Sequence, residues 1–448
     1  MSPAESLPGY TVSCPPPFYS PRANDGEEVL AATRVYRTPT GSFTARCHCS
    51  NVTVTLREQD EDVEIPVYHQ QGHLIGSVYH RSTENFLQVL LKVEGKLKLN
   101  VMGQNSGSSS VKIVEESYEL WSKSPETPIC PATLHFVTML PSTFREGGKE
   151  FPLPPSHKIS LPGIPGLASQ CSYTLKIISV IRGPLWNKNK IFGLNFKYSP
   201  RNRPSFPLLN HCGIPSDCPL FVATIKSAPE IWFEKSAVLN ARPSSGLGPI
   251  EVQIFIPSER KFGLADEVPF HIQLTGPALS LQMLYSHLRL EHVDDGSSVL
   301  ALSPPSPTLT RRHSSPTGNT NHFIALRVSL IRQVCVEVRD QTVWKSFTIG
   351  EGRVHPLPPP FESVIQDSKG GSSSSSRIAS LDGAGDIKCF SEVDHGYFDA
   401  GRVKVQDYLV LETAPLKPSD SSRSPFFPLK IPVPICIVSE SWSETIIP

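Results

Sequence analysis

Prolines are spread along the whole of this chain, 44 in 448 residues, and they limit what it can become. Inside a helix a proline removes a hydrogen bond and collides with the preceding turn, at a cost of about 3 kcal/mol; turns, loops and strand edges tolerate it. About twice the ordinary share of proline leaves few uninterrupted windows of helical length. The chain is therefore expected to build its cores from short strands joined by many loops. Its length allows two to three domains, each with its own core.

Period-two alternation appears where that expectation needs it. Val52, Val54 and Leu56 alternate with Asn51, Thr53 and Thr55; Leu97, Leu99 and Val101 alternate with lysines and Asn100; Val334, Val336 and Val338 alternate with Cys335, Glu337 and Arg339. Each run places apolar chains on one sheet face and mostly polar ones on the other. Further candidates are Leu87–Val93, Leu134–Met139, Ser172–Val180, Phe192–Tyr198, Val252–Ile256, Val268–Leu274, His322–Ile331, Val343–Ile349, Gly401–Leu411 and Phe427–Val438. Turn residues separate most of them at sandwich-like spacing. Leu281–Leu288 fits two periods. Leu281, Leu284, Tyr285 and Leu288 make a helical stripe, Leu279, Leu281 and Met283 a strand, and the surroundings favour the strand.

The expected fold class is all-β, with two tandem immunoglobulin-like sandwiches at 45–204 and 229–448 and a linker at 205–228. Residues 1–44 are read as a mostly disordered tail. The stretches 294–320 and 366–386, the latter with serines from Ser372 to Ser376, are read as disordered loops that interrupt the second sandwich.

Lysine plus arginine equals aspartate plus glutamate, 42 of each, which argues against nucleic acid as the main partner. No apolar run approaches the length of a membrane span; Tyr173–Ile181 is short and contains Lys176. The first residues lack a basic region followed by an apolar one, so a soluble, cytoplasmic protein is expected. Cys47 and Cys49 flank His48, and His211-Cys212 precedes Cys218, but neither spacing closes a four-ligand zinc set. Reduced thiols are the expected state, with neither metal nor cofactor. No GxSxG, HExxH, Walker-type or strand-linked GxGxxG motif occurs, and Asp60-Glu61-Asp62 with Glu64 offers calcium too few ligands. The histidines, among them His73, His80 and His135, are scattered. No catalytic constellation assembles, and an enzyme is not expected.

Six prolines fall within the first twenty-two residues, and Pro16-Pro17-Phe18-Tyr19 spells PPxY. A polyproline II segment has no internal hydrogen bonds and is already extended when it meets a partner. WW domains exploit this, prolines filling one aromatic slot and the tyrosine another. Leu7-Pro8-Gly9-Tyr10 keeps the proline and the tyrosine and reads as a weaker second site. In the 294–320 loop, Arg311-Arg312-His313-Ser314-Ser315-Pro316 sets Arg311 three residues before Ser314 and Pro316 two after it. That is the pattern of a basophilic kinase substrate and, once phosphorylated, of a 14-3-3 ligand, because a doubly charged phosphate docks on an arginine cluster. Ser380, three after Arg377, is a poorer candidate, and a solvated polar loop is the alternative for all of these.

The order of several short stretches resembles the arrestin-like superfamily, in particular the α-arrestins. Gly72-His-Leu-Ile-Gly76-Ser-Val78 followed by Leu87–Gly95 is similar to the family's early strand pair. Glu150-Phe-Pro-Leu-Pro-Pro-Ser156 resembles its phenylalanine-proline segment, and Cys171–Ile177 the strand after it. Tyr198–Pro204 looks like the end of the N-terminal arrestin domain, Val268–Leu274 an early strand of the C-terminal one, and Asp407–Leu411 with Leu429–Ile435 its last two strands. The likeness runs over roughly residues 45 to 447. Two departures are visible: an extra proline-rich stretch, Leu161–Gly166, and tyrosine motifs that precede the body instead of following it. No buried charged cluster like the one holding visual arrestins inactive is legible. The resemblance implies arrestin sandwiches and an adaptor. Such an adaptor brings a HECT-type ubiquitin ligase, through PPxY–WW contacts, to a membrane transporter or receptor for ubiquitylation and endocytosis. It implies recruitment to the plasma membrane or endosomes. The alternative is a retromer-like sorting scaffold with no ligase.

Overall fold

The computed structural model describes residues 39–47, 51–103, 106–184, 186–208, 220–289, 324–339, 341–357, 378–415 and 424–442. Pro39–Trp442 is one compact unit, almost entirely of strands. Its first half contains β1 (Gly41–Cys47), β2 (Val52–Gln59), β3 (Val67–Tyr68), β4 (His73–His80), β5 (Phe86–Met102) and β6 (Gly107–Ser122). These are followed by β7 (Thr133–Met139), β8 (Thr143–Glu146), β9 (Lys149–Pro152), β10 (His157–Leu161), β11 (Gly166–Ile181) and β12 (Lys188–Tyr198). One sheet has the order β1-β2-β4-β7. The other runs β3-β12-β11-β5-β6, with β10 added to β11, while β8 and β9 pair separately. Val54, Leu56, Leu74 and Val78 of the first sheet share one core with Leu91, Leu97, Leu99, Tyr173 and Leu175 of the second. This is a sandwich, and the period-two alternation puts those side chains inside. Gly95 of β5 leaves room for the Tyr173 ring, whose hydroxyl donates to the Pro154 carbonyl at 2.7 Å.

A short helix α1 (Leu220–Thr224) precedes the second half. That half contains β13 (Trp232–Leu239), β14 (Ile250–Pro257), β15 (Lys261–Gly263), β16 (Val268–Pro277), helix α2 (Ala278–His287) and β17 (Leu288–Arg289). After these come β18 (Ile324–Val338), β19 (Gln341–Gly352), β20 (His355–Pro356), β21 (Ile378–Ile387), β22 (Phe398–Asp399), β23 (Val403–Pro415) and β24 (Leu429–Val438). They form one ladder of order β13-β14-β16-β21-β19-β18-β23-β24-β15. β19 touches β21 through a single register pair, Gly352 with Ile387. Val252, Ile254 and Ile272 on one side of that seam share a second core with Leu330, Leu409 and Val433 on the other. The ladder therefore folds over on itself as another sandwich.

At the seam, a Cβ on Gly385 of β21 would be driven into the Arg353 carbonyl oxygen and the Phe270 ring. Gly385→Ala is expected to cost about 1–3 kcal/mol, because the obstruction is partly backbone and cannot turn aside. Urea unfolding would show it as a lower midpoint with an unchanged slope. An unmoved midpoint would mean that the chain after β19 does not close on β21 this tightly.

Four points differ from the sequence expectation. Leu281–Leu288, favoured as a strand, is helical to His287: Leu281 and Leu284, three apart, are both buried, while Leu279 is 52 % exposed. The three-residue period decided, and Pro277 just ahead of the helix brings no N–H that would lack an intrahelical partner. Residues 378–386, read as the end of a disordered loop, form most of β21, paired along its length with β16. Small residues there (Ala379, Ser380, Gly383, Ala384 and Gly385) hid the strand, because a pattern search looks for bulky alternation. The expected linker 205–228 contains α1, whose Phe221 stacks on His271 with ring centres 4.0 Å apart. The first strand begins at Gly41, ahead of the expected start at 45.

Candidate functional site

Two strands supply walls to both cores. Along β18, Val328 and Leu330 enter the second core while Val334, Val336 and Val338 enter the first; along β23, Leu409 and Leu411 enter the second while Val403 and Val405 enter the first. Between the two sets, at positions of the same inward parity, lie Arg332 and Asp407, directly opposite each other in the register. Arg332 Nε donates to Asp407 Oδ1 at 2.7 Å and Nη2 to Oδ2 at 3.0 Å, with side-chain exposures of only 1 % and 0 %. Nη1 donates to the His395 carbonyl oxygen at 2.8 Å. Two charges taken out of water need this bidentate geometry, because desolvation otherwise outweighs their attraction. Three donors of the guanidinium are consumed internally, so the pair serves as a fastening and offers no open cation to a ligand.

The fastening positions the segment that carries His395. His395 Nδ1 donates to Asp394 Oδ1 at 2.7 Å, and Lys197 of β12 approaches Asp394 Oδ2 at 3.3 Å. His395 and then Lys197 hold the Asp394 carboxyl down to about 2. The ring of His157, on β10, lies 4.9 Å from the Phe398 ring and 5.8 Å from that of His395. His157 Nδ1–H donates to the Pro155 carbonyl at 2.9 Å, and Nε2 accepts from the Ser169 hydroxyl at 2.7 Å. Burial pushes the His157 imidazole down to about 4, which keeps it neutral. Phe398 and Ala400 then join the first core. The segment after Tyr198 is stitched at its other side: His69 Nδ1 donates to the Ser199 carbonyl, Asn202 N to Ser439 Oγ, and Ser439 Oγ to the Pro200 carbonyl, each at 2.8 Å. Arg201 pairs with Glu440 at 3.1 Å.

Sequence reading did not locate this buried Arg332–Asp407 pair. A signal existed: Arg332 falls between Leu330 and Val334, and Asp407 between Val405 and Leu409, each at a position whose neighbours two residues away point inward. Opposite charges at two such positions mark a pair of adjacent strands.

Of the residues singled out from sequence, Leu7, Pro8, Tyr10, Pro16, Pro17 and Tyr19, and likewise Arg311, Ser314 and Pro316, lie outside the described residues. Ser380 is exposed in the middle of β21, opposite Thr275, with the two hydroxyl oxygens 3.5 Å apart. Cys47 ends β1, whereas His48, Cys49, His211, Cys212 and Cys218 are outside the described residues. Among the described residues no group of three or more His, Cys, Asp or Glu side chains could hold a metal ion. Among them, too, no helix is long and apolar enough to cross a membrane. His73 and His135 are exposed on β4 and β7, and His80 is buried. The Phe151–Pro155 stretch lines the junction, with Leu153 and both following prolines buried and the Phe151 ring 5.9 Å from that of Phe144. No protein-family model and no curated protein matches the chain. The fold defines an all-β protein of sandwich type.

Proposed function

We propose that this chain is an arrestin-like adaptor that brings a HECT-type ubiquitin ligase to membrane-protein cargo and so promotes ubiquitylation and endocytosis. The observation that carries the reading is the PPxY tetrapeptide Pro16-Pro17-Phe18-Tyr19 ahead of a body made of two β cores fastened through Arg332 and Asp407. Pro16 and Pro17 fill one slot of a WW groove and Tyr19 the other, with Leu7, Pro8 and Tyr10 as a secondary site. Tyr19 is twenty residues from Pro39, so the ligase can be held at most about 70 Å from the body. Such a contact buries little area and is expected to be micromolar or weaker, about −5 to −8 kcal/mol. A weak, exchangeable grip suits an adaptor that must release its ligase. Phosphorylated Ser314, flanked by Arg311 and Pro316, adds a 14-3-3 contact to this scheme.

The test is capture of WW domains by the full chain. Tyr19→Ala combined with Tyr10→Ala is expected to abolish capture and, in cells, cargo ubiquitylation, while the body unfolds at the same urea concentration as wild type. Undiminished capture would sink the ligase reading and leave the sorting scaffold.

A further inference from the structure

Outward positions on β13, β14, β16 and β21 alternate with Ile254, Ile272 and Leu274 of the second core. Glu234, Phe255, His271 and Ala384 form one outward row across the four strands, and Ser236, Gln253, Gln273 and Asp382 form the next. Trp232, Phe255 and His271 would lie open to water on this face, yet α1 covers them and all three are buried. Phe221 of α1 is the plug. Its ring stacks on His271 at 4.0 Å and 14°, lies 4.6 Å from the Phe255 ring and stands edge-on to Trp232 at 5.2 Å. Trp232 Nε1 donates to Thr224 Oγ1 at 2.9 Å, and Leu220 completes a small apolar cluster separate from both cores.

The slot stands on paired strands, whereas the plug stands on a single helical turn. Five residues are too few to keep a helix in water, so α1 persists only while its side chains fill the slot. Leu220, Phe221, Thr224 and Ile225 face the sheet, while Val222 and Ala223 are exposed. The strands hold their own side chains without help from α1. His271 Nε2 and Gln273 Nε2 each donate to Asp382 Oδ1 at 3.0 Å, and Gln253 Nε2 donates to Glu234 Oε1 at 2.9 Å. His271 Nδ1 is left buried with no partner among the described residues. Charge on this face is one-sided: the outward positions of the four strands carry Glu234, Glu251, Asp382 and Asp386, with no lysine or arginine. The segment that covers it brings a cation, Lys226, five residues after the Phe221 anchor. An aromatic ring followed by a positive charge is therefore complementary to the slot and its rim.

We propose that the slot of Trp232, Phe255 and His271 docks a separate protein, one whose helical turn presents an aliphatic-aromatic pair and a nearby cation, and that α1 fills it as a built-in stand-in. This site is distinct from the WW contact of the tail. Tethered beside the slot, α1 competes at a high effective concentration, so the partner binds weakly until Phe221 leaves. A fluorescent peptide of residues 219–228 is the probe, read by polarisation. Saturable binding to the full-length Phe221→Ala chain is expected, with wild type at least about tenfold weaker. Phe221→Ala in the peptide should remove the binding, and Glu234→Lys added to the Phe221→Ala chain should weaken it about threefold. A second measurement needs no substitution. The Ile225 and Ala228 amides, which close the turn on the Phe221 and Thr224 carbonyls, should exchange by local opening, ahead of those in β14. Exchange of these amides only in step with β14 would mean that the slot never empties, and overturns the proposal. So does a Phe221→Ala chain that takes up no peptide, or that binds the alanine peptide equally well. A wild-type chain that dimerises, and ceases to with Phe221→Ala, would give the slot to a second copy and overturn the separate partner.

Discussion

Asp407→Leu, or Arg332→Met, is expected to remove about 3–5 kcal/mol of folding stability, since either change leaves one buried charge without its counterpart. That is a large part of the 5–15 kcal/mol by which native proteins are stable. The double change Arg332→Met with Asp407→Leu is expected to recover most of the loss, because two packed apolar side chains leave no charge to desolvate. Urea midpoints of the four chains form a double-mutant cycle whose coupling term reads the pair directly. Because β18 and β23 supply walls to both cores, amide exchange in β5 and in β14 should rise together in either single variant. A single variant within about 1 kcal/mol of wild type would show that the junction does not depend on this pair.

Acid is expected to weaken the fold well before its carboxylates are protonated. His80 and His157 are both buried, 1 % and 5 % exposed, and burial pushes each imidazole down to about 4. Between pH 6.5 and 4 the unfolded chain takes up protons that the folded chain refuses, so stability is whole above 6.5 and declines as pH falls to about 4. Each ring can contribute up to roughly 3 kcal/mol to that decline. His80, whose ring stands edge-on to Phe86 at 4.8 Å and whose nitrogens find no partner among the described residues, is the simpler of the two to replace. Urea midpoints for wild type should fall from pH 7 to pH 5, and His80→Leu with His157→Leu should flatten the dependence. A wild-type midpoint that is level across that range would contradict the argument. A separate loss is expected lower down, where Glu94, held to about 2 chiefly by Lys176 and then Lys92, finally protonates.

The strands were readable because one face is buried and the other wet: Val52, Val54 and Leu56 are all 3 % exposed or less, and Leu97, Leu99 and Val101 likewise. What escaped was whatever lacked that contrast. β21 offers small side chains at most positions, and α2 spends only Leu281 and Leu284 on the core, too few to separate a helical period from a strand period. The Arg332–Asp407 fastening was hidden for another reason. A charged residue in an alternating run reads as the polar face unless its parity is checked against the apolar neighbours two positions away. The reading proposed for Pro16–Tyr19 rests on the sequence alone, because those residues lie outside the described ones.

Sharing β18 and β23 also governs what happens if the chain is cut. A fragment ending in the 205–228 stretch would take away a sandwich lacking Val334, Val336, Val403 and Val405, the side chains that seal its flank. Proteolytic nicking there would therefore yield adhesive pieces that must stay together or aggregate, never two independent modules. Any use of this protein's halves as separate reagents would have to graft replacements for those valines.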